Sequence, residues 1–99
     1  MEFLVRIEVR LPPDLPDQAR NELVSQETAR GRALQDAGSI VRIWRIPGRH
    51  ANVAIWRAAD ASALHDLLAS LPLFPWMDID VQALALHPLE LPRESPPSP

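Results

Sequence analysis

One carboxylate in this chain sits among residues that should face inward. With Leu23 at zero on a helix that turns about 100° per residue, Leu34 falls at about 20°, Arg30 at about −20°, Ala19 and Ala37 at about −40°, and Glu27 at about 40°. Glu27 therefore belongs to the stripe that faces the rest of the fold. An unpaired carboxylate is costly to bury, so such a group is ion-paired, held protonated to higher pH, or turned toward a cavity. A carboxylate in the last situation suits general-base work near neutral pH. The plainer alternative is a glutamate at the edge of the stripe, paired with Arg30 or Arg20 and structurally idle. The sequence leaves both readings open.

The other polar groups with chemical potential gather in one hairpin. Arg42, Trp44 and Ile46 share one side of a strand by alternation, and Ile43 and Arg45 share the other. Asn52 stands inside the next strand, where asparagine is disfavoured. It reads either as a donor to a ligand carbonyl or as a turn-adjacent side chain serving the backbone. His50 precedes it beside the turn. His65 lies on a second helix and reads as a surface residue, and His87 precedes Pro88 and reads as structural. Three scattered histidines with no i,i+4 pair and no cysteine give no expectation of a metal. Neither a glycine-rich phosphate loop nor a serine nucleophile motif is present. Trp44 and Trp56 fit a core or an interface better than a stacking platform, and Trp44 is retained among the candidate binding residues.

These side chains need elements to hold them. Phe3, Val5, Ile7, Val9 and Leu11 alternate with Leu4, Arg6, Glu8 and Arg10, the period of a strand, which Pro12 and Pro13 end. A helix is predicted from about Pro16 to Ala37 with Gly38 as its stop and Gly31 as a weak spot. Ile40–Ile46 and residues 50–57 read as two strands joined by the Pro47-Gly48-Arg49 turn, an antiparallel hairpin. Asp60 is an N-cap candidate for a helix to about Ser70, with Leu64, Leu67, Leu68 and Leu71 as its apolar stripe. Leu73–Met77 is an apolar connection, and Asp78–Leu86 is a fourth strand. The order βαββαβ makes an α+β domain, a four-stranded antiparallel sheet with both helices on one face. The other face would carry Trp44 or Trp56 into water, which predicts dimerisation through the sheet. Residues 1–88 form the domain. Residues 89–99 are a proline-rich tail expected to be disordered or draped over a neighbouring subunit.

The chain has 99 residues, enough for one domain, with 46% hydrophobic and 23% charged residues. Its net charge of −3 argues against nucleic acid or an anionic membrane as partner, since both need a basic surface. The absence of cysteine removes disulfides and thiolate chemistry. No apolar run is long enough to span a bilayer, and the first residues do not read as a signal peptide, so a cytoplasmic location is expected.

Several segments carry a resemblance. Leu71-Pro72-Leu73-Phe74-Pro75-Trp76-Met77-Asp78-Ile79 resembles the Leu-Pro-Leu-Phe-Pro-Tyr-Met-Asp-Ile stretch of muconolactone Δ-isomerases. Similar too are Leu11-Pro12, Trp44-Arg45-Ile46, Gly48, Ala51-Asn52, Ala63-Leu64-His65 and His87-Pro88, in register and without gaps. The resemblance implies a ferredoxin-like fold whose dimers build a decamer. It implies a cofactor-independent isomerase of catechol breakdown, in the β-ketoadipate pathway, that shifts the ring double bond of muconolactone to give 3-oxoadipate enol-lactone. Its partner would be a small anionic lactone, with no metal. Glu27 coincides with the family's glutamate and would be the base and proton shuttle. Asn52 matches the family and would orient the lactone, and His50 stands where many members carry tyrosine. Arg45 would hold a carboxylate or brace the hairpin. The family usually pairs its glutamate with a lysine one turn earlier. Val24 occupies that position here and the chain contains no lysine. Arg20 or Arg30 would supply positive charge, although arginine does not release a proton at neutral pH. A lactone dehalogenase variant, a non-catalytic binding or assembly paralogue, and a cofactor-free monooxygenase of related fold are the alternatives.

Overall fold

Alternating apolar residues at the start of the chain form β1 (Glu2–Val9), which puts Phe3, Val5 and Ile7 into the interior. The structure is a computed structural model and describes residues 1–90. The chain continues through α1 (Asp17–Asp36), β2 (Ile40–Arg45), β3 (Ala51–Arg57), α2 (Ala61–Ala69) and β4 (Met77–Leu84). The strands pair antiparallel in the order β2-β3-β1-β4, so the two βαβ halves interleave in the ferredoxin-like arrangement. Three strands, β1, β2 and β4, end a little earlier than alternation alone predicts, and β3 begins one residue later. His50 lies in the turn rather than in β3, and β4 stops at Leu84.

Local chemistry sets the ends of the helices. Gly38 adopts φ 81°, in the left-handed region open to glycine. There the Gly38 N–H donates to Gln35 O at 3.0 Å and the Ser39 N–H to Leu34 O at 2.9 Å, which closes the last turn of α1. Asp60 caps α2 as its sequence position suggests, its Oδ1 accepting from the Ala63 N–H at 2.8 Å. The hairpin turns through Pro47 and Gly48, with Gly48 at φ 79° and the Arg49 N–H donating to Ile46 O at 3.3 Å. Gly31 does not break α1, which runs through it unbroken.

Both helices lie on one face of the sheet. Leu34 of α1, together with Leu64 and Leu68 of α2, closes over Phe3, Val5, Ala54 and Trp56. Trp56 is therefore the buried tryptophan, at 2% exposure, and Trp44 is the one on the opposite face, at 42%. A bulge between Ile40 and Arg42 decides which side of β2 faces which way. Ile40 pairs with Trp56 in the core, yet after the extra residue Arg42 and Trp44 pair with Ile55 and Val53 on the open face. The open face also carries an ion-pair cluster in which Arg6, Arg10 and Arg49 converge on Glu8, with the shortest contact 3.0 Å from Arg49. The part of the proline-rich tail from residue 91 onward lies outside the described residues. Pro88 and the tail's first two residues, Leu89 and Glu90, form a single 3₁₀ turn in which the Leu89 N–H donates to His87 Nδ1 at 3.1 Å.

Candidate active site

Between α1 and the hairpin end of the sheet the apolar packing stops, and a partly open cavity of about 730 Å³ takes its place. One wall is α1, where Arg20, Val24 and Glu27 follow one another at helical spacing. The facing wall is the sheet. Asn52 pairs with Ile7 on one side and Arg45 on the other, which puts Asn52 and Arg45 on the helix-covered face. His50 and Arg49 close the end at the hairpin turn, and Leu11, Leu73 and Met77 supply apolar surface. The turn is tied down, since the Val9 N–H donates to His50 O at 2.9 Å and Arg49 is held by Glu8.

Glu27 is half-buried on this wall. Its Oε1 accepts a hydrogen bond from the Leu73 N–H at 2.9 Å. Among the described residues it has no ion-pair partner. The structurally idle, arginine-paired glutamate that the sequence left open is therefore not the arrangement found. Burial holds its carboxyl above the ordinary carboxylate range, opposed only in part by the Leu73 N–H, which stabilises the anion. A carboxylate kept in place by one backbone donor, without a neutralising cation, can accept a proton from a molecule in the cavity.

Of the residues the sequence picked out, Glu27, Asn52, His50 and Arg45 meet around this cavity. Two others do not. Trp44 lies on the far face of the sheet because of the bulge in β2, where the Arg42 guanidinium sits 4.8 Å from its ring centroid. Arg30 points along α1 toward the end of α2, where its Nε donates to Ser70 Oγ at 3.0 Å. Neither lines the cavity, and each expectation is corrected accordingly.

Two groups found at this cavity were not placed there by the sequence. The Leu73 N–H is a backbone group in an apolar segment, and no side-chain type announces it. The 3₁₀ turn Phe74–Trp76 that starts behind it uses Leu73 O as an acceptor for the Trp76 N–H and leaves the Leu73 N–H free for Glu27. From the sequence Arg20 reads only as an ion-pair partner for Glu27 or a general source of charge; helical spacing from Glu27 is the signal that places it on this wall. No cluster of three metal-ligand residue types occurs among the described residues. No helix among them is long and apolar enough to cross a membrane.

A family model described as muconolactone delta-isomerase matches residues 1–90. The chain belongs to that family. Muconolactone delta-isomerases similar to it include that of Rhodococcus opacus, 40% identical over 85 residues that cover 86% of this chain and 91% of the relative. That of Pseudomonas aeruginosa is 41% identical over 88 residues, 89% of this chain and 92% of the relative. A crystal structure of a muconolactone isomerase at 3.3 Å resolution matches the fold with a TM-score of 0.86 and 37% identity, over 95% of this chain and 98% of that one. The family is one of isomerases, and the βαββαβ arrangement described above is its fold.

Proposed function

We propose that this chain is a muconolactone isomerase in which Glu27 moves the proton, without a cofactor, in the breakdown of catechol by the β-ketoadipate route. The observation that carries the reading is the half-buried Glu27 carboxylate, held by the Leu73 N–H and lining the cavity that Asn52 and His50 share. The substrate is a five-membered unsaturated lactone bearing a carboxylate arm. Glu27 takes the ring proton on the carbon next to the ring oxygen. The electron pair left behind delocalises through the ring double bond onto the lactone carbonyl oxygen as a dienolate. The carboxylic acid formed on Glu27 then returns the same proton to the carbon beside that carbonyl, and the double bond has moved by one position. No atom is gained or lost, which is why one carboxylate can serve both steps.

The rest of the cavity supplies what this sequence of steps demands. The dienolate oxygen needs hydrogen-bond donors, and the amide of Asn52 and the imidazole of His50 are the polar groups of the facing wall. The carboxylate arm needs a cation, and the cavity walls present arginines, Arg45 among them. Apolar surface from Leu11, Leu73 and Met77 limits water around the base, which keeps its proton affinity high.

Incubation with muconolactone, followed by absorbance, tests the proposal. The wild-type protein turns the lactone over, and Glu27→Gln, which preserves shape and the Leu73 hydrogen bond, lowers kcat by about 10²- to 10⁴-fold. Turnover undiminished in that variant refutes Glu27 as the base.

The open face of the sheet has its own place in this reading. Leu4, Val53 and Ile55 lie on it beside Trp44, and we propose that a second copy of the chain covers them in a homo-oligomer built through the sheet. Sedimentation of the wild-type chain against Trp44→Glu checks this: the variant shifts toward the monomer.

A further inference from the structure

The cavity contains more positive charge than it uses internally. No lysine exists in the chain, so every fixed cation there is an arginine. Among the described residues three arginines line the cavity: Arg20, Arg45 and Arg49. Arg49 is already committed, since its Nη1 lies 3.0 Å from Glu8 Oε1. Arg45 sits on the exposed edge strand β2, where water screens its charge. Arg20 differs from both. Its Nε is shielded from solvent and has no hydrogen-bond partner among the described residues.

A shielded guanidinium nitrogen without an acceptor is costly in a folded protein unless a ligand supplies one. The obvious internal acceptor is not used. Glu27 lies two turns along the same helical wall, yet its carboxylate takes the Leu73 N–H and forms no ion pair with Arg20. Val24, between them, separates the two charges with an apolar side chain. The wall therefore holds a base and a cation one beyond the other without letting them neutralise each other. Across the cavity the Asn52 Oδ1 is likewise buried and unpartnered among the described residues, so unsatisfied polar atoms converge from both walls.

We propose that Arg20 is the specificity-determining anchor for the substrate's carboxylate arm, fixing the lactone ring over Glu27, with Arg45 serving only to attract the anion from solution. The proposal rests on the lactone-acid reading above and adds to it the residue that selects a free acid. A guanidinium suits the task because its planar fork meets both oxygens of a carboxylate, and because it cannot surrender a proton to the base beside it. In the substrate the acidic arm and the proton to be removed are attached to the same ring carbon, so an anchor for the arm also positions the proton for the base.

The probes are the saturated lactone that carries the same acetic acid arm, which lacks the ring double bond and cannot isomerise, and its methyl ester. Calorimetric titration of the full chain with each separates arm recognition from chemistry. Wild type binds the acid about 10- to 100-fold more tightly than the ester, the range for a charge-assisted contact. Arg20→Gln removes that preference, Arg20→Lys restores part of it, and Arg45→Gln leaves most of it. In turnover Arg20→Gln raises KM for muconolactone by a larger factor than it lowers kcat. A wild type that binds acid and ester alike, or an Arg20→Gln variant that keeps the preference, overturns the proposal. Acid preference dependent on Arg20 in a wild-type protein with no muconolactone turnover supports the anchor and refutes the isomerase reading alone. Circular dichroism of each variant establishes that it is folded, and Arg20→Met serves in place of Arg20→Gln if the latter is not.

Discussion

The same sheet face is dry at one end and polar at the other. Along β3, Trp56 and Ala54 point under the helices into a sealed core, and two residues further on Asn52 points the same way into the cavity. Along α1 the change is just as abrupt. Leu34, near the C-terminal end, is sealed against the sheet, whereas Glu27 and Arg20, two and four turns earlier, border open space. Neither backbone changes conformation between the two ends. What changes is coverage. Leu64, Leu68 and Leu71 fill the space beside the sealed end, and only the short 3₁₀ turn after Leu73 reaches the other. The molecule uses one end to stay folded and leaves the other unfilled, and the groups that are costly to bury are gathered where burial is incomplete.

The sharpest test of that division exchanges the base. Glu27→Gln is expected to remove activity by about 10²- to 10⁴-fold while raising thermal stability at neutral pH. The sign follows from the raised carboxyl. The folded protein holds this proton to a higher pH than the unfolded chain does, so Glu27 favours the fold in acid, and that contribution is lost as pH rises through its folded-state titration. The stability advantage of Glu27→Gln should therefore be absent in acid and appear as pH rises. Wild-type kcat should rise over the same interval, because only the ionised carboxylate accepts a proton. Melting curves and a kcat–pH profile on the same samples check both. A variant that is less stable than wild type at neutral pH contradicts the division.

Truncation at the sealed end gives the opposite pattern. Trp56→Ala should cost about 3–5 kcal/mol in urea unfolding, the range for emptying an aromatic site in a core. Asn52→Ala, at the same sheet face but on the cavity side, should change stability by less than about 1 kcal/mol, since its buried oxygen has no partner to lose. It should instead weaken turnover. Equal stability losses in the two variants would erase the distinction between the ends.

A weaker effect is expected from the hairpin turn. Glu8 gathers Arg6, Arg10 and Arg49, and their charges hold its carboxyl below the usual range against the opposing effect of desolvation. Glu8→Gln releases Arg49 at the mouth of the cavity, so KM should become more dependent on salt while the melting temperature moves little. The smallest change concerns neither end. A Cβ added at Gly31 meets no atom within 4 Å, so Gly31→Ala should stabilise α1 by about 0.5–1 kcal/mol with activity unaltered.

Much of this could be read from the chain. Period two in β1, the leucine spacing of α2, the Asp60 cap and the glycines at the end of α1 and in the hairpin fixed the elements and their order, because each depends on residues only a few positions apart. The inward direction of Glu27 was legible for the same reason, since a helical angle needs no partner. Proximity was not. Whether Glu27 met an arginine or a backbone N–H depended on where a turn more than forty residues away came to rest, and that turn supplied Leu73. The facing of Trp44 and Arg45 depended on a bulge near Val41, where one extra residue reverses the alternation of a strand and no side chain marks it. The separation of Arg30, held by Ser70, from Arg20, left to the cavity, likewise belonged to the packing of α1 against α2. Local propensities decided what each segment becomes; contacts between distant segments decided which of its groups reach the site, because hydrogen-bond geometry is set by the placement of backbones that the sequence brings together only in the finished fold.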